Sequence, residues 1–186
     1  MATPTIQQLG PTGLCVITRD LIKDNRGQFS KPFSSEMLAE AGWNKPIAQV
    51  NHSHTLRRGT VRGMHFQYPP HQELKLVSCI RGEVWDVNVD LRASSPTYLK
   101  WSAQILSADN GQSLLIPEGM AHGFQALSDE AELVYCHSAP WVKDSEGGVN
   151  PLDPTLAITW PLAISLMSKR DAELPNLDQN FKGIQL

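Results

Sequence analysis

Three side chains that could move a proton beside a carbonyl lie within the stretch from Gly59 to Val89. Arg62, His65 and Lys75 fall on two neighbouring strand-like runs, so rigid strands could present all three to one cavity. An imidazole can take a proton from carbon, while a guanidinium or ammonium group can stabilise an enolate oxygen or bind phosphate. The stretch therefore predicts proton abstraction next to a carbonyl in a molecule that also carries phosphate.

Composition narrows the class of protein. A chain of 186 residues with 41% hydrophobic content can bury one sizeable core, so we expect a single domain over residues 1–186. A net charge of −3 argues against nucleic acid or anionic membrane as a general partner. Without a secretory signal, a membrane-length apolar segment or paired cysteines, the chain is expected to be cytoplasmic, with Cys15, Cys79 and Cys136 as free thiols.

Short β-like runs follow one another between Ile47 and Tyr135, separated by Gly, Pro, Asn or Ser and with no helical period between them. Such spacing is typical of an antiparallel sandwich or jelly roll. Asp109–Gln112 is predicted to be a turn. The runs are Ala48 to His52, Gly59 to Phe66, Lys75 to Ile80, Glu83 to Asp90, Trp101 to Leu106, Ser113 to Ile116, Gly123 to Leu127 and Ala131 to Tyr135.

Elements outside this region are few. Leu14 to Ile17 indicates a strand, and Asp24 to Ser30 indicates a turn followed by an alternating run. Ser34 to Gly42 has a Ser start, good helix formers and a final Gly, which predicts a short helix. A second helical segment of one or two turns is expected within Ser168 to Pro175.

A metal site is the first alternative, because Pro117–His122 matches the second half of the metal-binding cupin signature. The first half needs a His-x-His pair, but the residue two positions after His65 is Gln67. A metal held by His65, Glu73 and His122 would have unusual ligand spacing. We therefore predict a site without metal and keep the metal-dependent cupin as an alternative.

Six motifs in order resemble the dTDP-4-dehydrorhamnose 3,5-epimerase family, and the resemblance covers roughly Ile17 to Asp171. It implies an all-β, cupin-like jelly roll (a double-stranded β-helix) without cofactor, usually a homodimer, with short helices toward the termini. Such enzymes invert C3, C5 or both in a nucleotide-linked 4-keto-6-deoxy sugar, by deprotonation and reprotonation beside the C4 ketone, for deoxysugar or surface-polysaccharide synthesis. The motifs are Val61–Gln67, Lys75–Val77, Gly82–Val87, Ser95–Tyr98, Ile116–Phe124 and Asp153–Pro154.

The resemblance implies a role for each matching residue in the chemistry. His65 is similar to the family base, and Asp171 to the carboxylate that orients it and raises its basicity. Lys75 resembles the cation that faces the sugar O4. His122, taken alone, reads as a core histidine, but its Pro-x-Gly-x-x-His context favours a place in the cavity.

Substrate binding is implied at a second set of positions. Arg26 and Arg62 match the positions that meet the diphosphate or sugar, although the pattern around Arg26 alone favours an ordinary turn residue. Gln49 and Asn51 match a polar wall. Phe29 matches a residue that packs on the nucleotide, often across the dimer interface.

Two departures from the family pattern affect the predicted activity. Lys31 stands where the family commonly has Glu, and Trp141 stands where we expect the family's acid Tyr. An indole N–H cannot supply a proton near neutral pH. Tyr135 is a possible substitute acid, but a residue that ends the preceding strand can point away from the cavity, so we expect loss of full double inversion rather than rescue.

Two further functions fit the same motifs. One is a single-centre epimerase, C3-only or C5-only, acting on a related nucleotide sugar, and the second is a non-catalytic sugar-nucleotide-binding protein. Both keep the binding residues and differ from the main prediction in the fate of the carbons beside the ketone.

Overall fold

The computed structural model describes residues 4–186, which form mainly β-structure. Within them no helix is long and apolar enough to cross a membrane. The helices are α1 (Ser35–Glu40), α2 (Lys169–Ala172) and a 3₁₀ turn at Lys143–Ser145. The strands are β1 (Thr5–Gln8), β2 (Cys15–Thr18), β3 (Ile22–Asp24), β4 (Gly27–Phe29), β5 (Gln49–Thr55), β6 (Thr60–Gln67), β7 (Lys75–Arg81), β8 (Glu83–Asp90), β9 (Trp101–Ser107), β10 (Gln112–Ile116), β11 (Met120–Ala126), β12 (Ala131–His137), β13 (Glu146–Gly148) and β14 (Leu166–Met167).

Two sheets form a sandwich. Sheet I has the order β1-β2-β10-β7-β12-β5, and sheet II has the order β13-β6-β11-β8-β9, with β14 added parallel to β6. All other pairings between these strands are antiparallel, and β3 and β4 form a separate hairpin. The predicted all-β, cupin-like fold with short helices is confirmed.

The eight predicted runs correspond to β5 to β12. The bounds of β8 are as predicted, whereas β11 begins at Met120, three residues before the predicted Gly123. That earlier start follows from pairing, because Met120 lies opposite Asp90 of β8. The predicted turn at Asp109–Gln112 joins β9 to β10. Asn110 Oδ1 accepts hydrogen bonds from the backbone N–H groups of Ser107 and Gln112, the residues at the facing ends of these strands.

Strand alternation divides the interior into an apolar part and a polar part. On β7, Val77 packs in the core between the sheets while Lys75 lines a cavity. On β12, Leu133 and Tyr135 make the same division. Because residues two apart on a strand share a face, each strand contributes both core and cavity.

The outer face of sheet I is covered by α1. Ser34 caps this helix by accepting the backbone N–H of Met37, and Met37 and Leu38 pack in one cluster with Leu76 of β7. The predicted helix is thus present, and it ends at Glu40. On the outer face of sheet II, residues from the C-terminal third of the chain, among them Val149, pack in the same way.

Two glycines bring β6 and β11 unusually close. Gly63 has φ +125°, and a Cβ built there would lie 2.5 Å from the Cα of Gly123. The register of the two strands shifts at this point, and His65 lies directly opposite His122. The close approach therefore sets two histidines side by side on the inner face of sheet II.

Candidate active site

A cavity of about 560 Å³ lies between the sheets, a volume typical of small-molecule sites. Sheet II contributes Arg62, His65 and His122, while sheet I contributes Lys75 and Tyr135. Gln49, Asn51, Trp141 and Asp171 also line the cavity. Of the residues proposed from sequence, Arg26 and Phe29 lie outside it.

His65 is paired with Asp171, with 2.7 Å between Nε2 and Oδ1. Ser168 caps α2 by accepting the backbone N–H of Asp171, which fixes the carboxylate below the imidazole. Burial raises the pKa of Asp171, but the hydrogen bond and charge of His65 outweigh burial and hold this pKa below its ordinary value. A carboxylate accepts only, so Nε2 carries the hydrogen and the other ring nitrogen of His65 is free to act as a base.

Lys75 is a buried cation held at two points. Its Nζ donates to the backbone oxygen of His65 at 3.3 Å and pairs with Glu73 Oε1 at 3.0 Å. The Glu73 carboxylate also accepts from the side-chain amide of Gln67. Because a buried charge is costly without a partner, the ion pair with Glu73 offsets part of the cost of placing the Lys75 side chain inside the cavity.

His122 forms a second histidine–carboxylate pair, with 2.7 Å between its Nε2 and Oδ2 of Asp86. Asp86 is fully buried and accepts a second hydrogen bond from Asn88 at 2.9 Å. The rings of His122 and Tyr135 pack edge to face, with their centroids 6.1 Å apart. His122 therefore belongs to the cavity, as its sequence context predicted.

Tyr135 points into the cavity, so the expectation that it could point away is wrong. Its phenol oxygen lies 2.9 Å from Ser53 Oγ. Strand alternation explains the direction, since Leu133, two residues earlier, packs in the core on the same face. Burial raises the pKa of Tyr135, which keeps the phenol protonated at neutral pH.

Trp141 lies at the cavity margin with 54% of its surface exposed. Its backbone N–H donates to Gln49 Oε1 at 2.8 Å, and the N–H of Val142 donates to Gln67 Oε1 at 2.6 Å. The side-chain amides of Gln49 in sheet I and Gln67 in sheet II thus hold the backbone of the loop after β12. The loop places the indole of Trp141 at the cavity margin, where a flat ligand group can pack against it.

Arg62 lies on β6 of sheet II and lines the cavity. Its Nε donates to Thr55 Oγ1 at 3.0 Å and its Nη2 donates to the backbone oxygen of His54 at 3.0 Å. These two bonds anchor the guanidinium group, so its position along the cavity wall is set before any ligand arrives.

The β3–β4 hairpin carries Arg26 and Phe29 away from this chain's own cavity. Arg26 is exposed and paired with Asp24 of the same turn, and Phe29 is 61% exposed. In the described chain the two strands of the hairpin pair only with each other. Within one chain, then, the structure does not bring these two residues to the other predicted binding residues.

Several cavity residues were missed from sequence. Ser53, His137 and Arg170 line the cavity, and Arg170 is paired with Glu146 at 2.6 Å. Asp86 is fully buried outside the lining, where it partners His122. Strand periodicity could have found His137, because it lies two residues after Tyr135. Asp86 and Ser53 needed the pairing of distant strands.

The alternative metal ligands do not converge on a common point. His65 and His122 each direct Nε2 to their own carboxylate, and Glu73 pairs with Lys75. Across residues 4–186, no group of three or more His, Cys, Asp or Glu side chains is arranged to hold a metal ion. Activity without a metal stays a prediction.

Comparison with known proteins identifies the family to which this chain is similar. The family model described as dTDP-4-dehydrorhamnose 3,5-epimerase matches residues 9–179. The dTDP-4-dehydrorhamnose 3,5-epimerase of Shigella flexneri is 45% identical over 149 residues, covering 80% of this chain and 82% of that protein.

Solved structures agree with the sequence match. The dTDP-4-dehydrorhamnose 3,5-epimerase of Bacillus anthracis, with TDP and PPi bound, is 35% identical with a TM-score of 0.90, covering 94% of this chain and 100% of that one. A variant of ChmJ, a 3'-monoepimerase of Streptomyces bikiniensis in complex with dTDP, is 33% identical with a TM-score of 0.83, covering 91% and 85%. In that variant a His is replaced by Asn and a Tyr by Phe.

Proposed function

This chain belongs to the dTDP-4-dehydrorhamnose 3,5-epimerase family, and we propose that its cavity inverts both C3 and C5 of a dTDP-linked 4-keto-6-deoxy sugar. The protein is an isomerase, in keeping with the prediction from the motifs. The proposal assigns a role in proton transfer or charge stabilisation to each paired group of the cavity.

His65 takes the proton from the carbon next to the ketone. The pairing with Asp171 supports this role, because an ionised carboxylate orients the ring and stabilises the imidazolium that forms. As the C–H bond breaks, its electron pair moves toward the ketone and negative charge gathers on O4.

Lys75 stabilises that charge with its ammonium group, and His122, whose Nε2 already donates to Asp86, does so in its doubly protonated form through Nδ1–H. Each is held by its own carboxylate, Glu73 or Asp86, and each lines the cavity beside His65. Donors whose positions are fixed before the reaction need no reorganisation when the enolate forms, so they lower the barrier.

Tyr135 returns a proton to the opposite face of the enolate. The single observation that carries the proposal is that His65 stands on sheet II and Tyr135 on sheet I, on the two walls of one cavity. Inversion at carbon requires a base and an acid on opposite faces, and two facing sheets supply that arrangement.

Residue spacing also favours Tyr135 over Trp141 as the acid position. The His and Tyr replaced in the ChmJ variant are 70 positions apart. His65 and Tyr135 are also 70 positions apart. We therefore assign the acid role to Tyr135, in place of the expectation that the acid position corresponds to Trp141. We assign Trp141 to packing on the flat base of the nucleotide.

Product analysis tests double inversion. The protein is incubated with dTDP-4-keto-6-deoxyglucose in deuterated water, and C3 and C5 are followed separately by NMR. Deuterium and inverted configuration at both carbons are expected. A second candidate, inversion at C3 alone, is favoured by the likeness to the 3'-monoepimerase ChmJ, and deuterium confined to C3 would establish it.

Arg62→Lys is expected to weaken binding of the dTDP-sugar by about 1–3 kcal/mol, the range for losing a charge-assisted hydrogen bond. A lysine cannot reproduce the forked donors that hold Arg62 to Thr55 and His54 while it faces the cavity. Calorimetry measures the dissociation constant. Arg58→Lys, a surface change outside the cavity, should leave binding unchanged. Equal loss in both variants would remove Arg62 from the proposed site.

We also propose a homodimer in which the β3–β4 hairpin of one subunit completes the cavity of the other. The exposed Phe29 and the distance of Arg26 from its own cavity motivate this. Phe29→Ala should weaken dTDP binding roughly two- to tenfold, the effect of losing one aromatic contact. Sedimentation should show a dimer for both forms. A monomeric native protein, or unchanged dTDP binding in Phe29→Ala, would contradict the shared site.

A further inference from the structure

His137 is a cavity residue for which the proposed reaction has no role. It lies on β12 two residues after Tyr135, on the same face of the strand, and it lines the cavity. In the register of sheet I its neighbours are Gln49 of β5 and Lys75 of β7. It is therefore a neighbour of both the proposed acid and the proposed enolate-binding cation.

A directional chain of hydrogen bonds fixes the His137 ring. The backbone N–H of Trp141 can only donate, and it donates to Gln49 Oε1 at 2.8 Å. The amide nitrogen of Gln49 then donates to Asn51 Oδ1 at 3.4 Å. The amide nitrogen of Asn51 lies 3.3 Å from His137 Nε2, so this ring nitrogen accepts and the ring hydrogen is on Nδ1.

The surroundings of His137 keep it neutral. Burial lowers the pKa of His137 to about 4, and the nearby charges of Lys75 and His122 act in the same direction. The groups that face it from β5, Gln49 and Asn51, are uncharged. An uncharged ring fits beside Lys75 without repelling the ammonium group.

The neutral ring lies against the face of Tyr135. The two ring centroids are 6.2 Å apart with an interplanar angle of 30°, within the range of offset stacking. At its other end the phenol meets Ser53 Oγ at 2.9 Å. The Tyr135 side chain is thus held at its oxygen by one residue and along its ring by another.

We propose that His137 is a positioning residue for Tyr135, whose ring, held by the Trp141–Gln49–Asn51 chain, keeps the phenol aimed at the enolate. The proposal rests on the proposed function, in which Tyr135 supplies the proton. A misplaced acid does not stop His65 from taking and returning a proton on its own side. Loss of His137 should therefore separate inversion from proton exchange.

The test compares His137→Gln, which keeps a polar side chain without a ring, with His137→Phe, which keeps a ring without the hydrogen bond. With dTDP-4-keto-6-deoxyglucose in deuterated water, NMR gives the fraction of deuterated carbons that are inverted. We expect His137→Gln to incorporate deuterium at near-native rate while this fraction falls about tenfold, equivalent to ~1.4 kcal/mol in the barrier. His137→Phe keeps a ring against Tyr135 but loses the hydrogen bond from Asn51, so its fraction should fall less than that of His137→Gln.

His54→Gln is the matched control, because His54 is a surface histidine of β5 paired with Glu130 outside the cavity. A native fraction in His137→Gln, or an equal loss in His137→Phe, would overturn the positioning role. Tyr135→Phe is measured alongside these variants. If it inverts normally, the acid is misassigned and the proposed function fails at that step. If it does not invert while His137→Gln does, only the role of His137 fails.

Discussion

His65→Asn should abolish the incorporation of solvent deuterium at both C3 and C5, because the second carboxylate-paired histidine of the cavity, His122, is assigned to O4 and not to the carbons. The expected loss is about 10²–10⁴-fold, the usual contribution of a general base. Asp171→Asn should lower exchange less, since the carboxylate orients and charges His65 without touching the carbon. NMR of the sugar carbons in deuterated water measures both.

Measuring dTDP binding distinguishes a His65→Asn variant that lacks only the base from one that has lost its fold. The dissociation constant for dTDP should be unchanged in His65→Asn, because His65 is assigned to the sugar and not to the nucleotide. The surface change His54→Asn should leave exchange unchanged. Near-native exchange in His65→Asn would show that the base has been misassigned.

Tyr135→Phe should keep deuterium exchange and lose inversion. The phenol supplies the proton to the face opposite His65, and its removal should reduce inversion by about 10²–10⁴-fold, as for other proton donors. Deuterium would then appear with the original configuration retained. Because the change removes only the oxygen that meets Ser53, we expect the variant to fold.

Trp141→Tyr is the companion variant. If Tyr135 is the acid, a phenol at the margin of the cavity should add no inversion to the native protein. Normal inversion in Tyr135→Phe, or a gain in Trp141→Tyr, would return the acid position to the loop that follows β12.

Local pattern was enough to predict the central strands, whereas the His65–Asp171 pair was implied by the resemblance to the family. The run Glu83–Asp90 has the composition of a strand and forms β8 over the predicted residues. His65 and Asp171 are distant in sequence, and it was the motifs around them, rather than any periodicity, that predicted their pairing.

Elements that depend on a partner could not be read from their own residues. β13 is Glu-Gly-Gly, a poor strand sequence, and it is extended because it pairs with β6. The cavity-facing direction of Tyr135 also required the register of β12 with its neighbours, since a strand end alone does not say which face is buried.

The role of predicted binding residues outside the main sheets, Arg26 and Phe29, also could not be derived from sequence pattern. The turn pattern at Asp24–Ser30 favoured an ordinary turn residue at Arg26, and within one chain Arg26 is exposed and paired with Asp24. In the proposed dimer, Arg26 and Phe29 would meet the nucleotide held by a second copy of the chain, an arrangement that patterns within one chain do not predict.

The most direct test of two opposing groups is the fate of substrate deuterium in a single turnover. A dTDP-4-keto-6-deoxy sugar labelled with deuterium at C3 and C5 is mixed with excess native protein in ordinary water. If His65 takes the label on one face and Tyr135 delivers a solvent-derived proton on the other, the inverted product should carry no substrate deuterium at either carbon. Inverted product that retains substrate deuterium would mean that one group both removes and returns it, which would contradict the assignment of His65 and Tyr135 to opposite faces of the enolate.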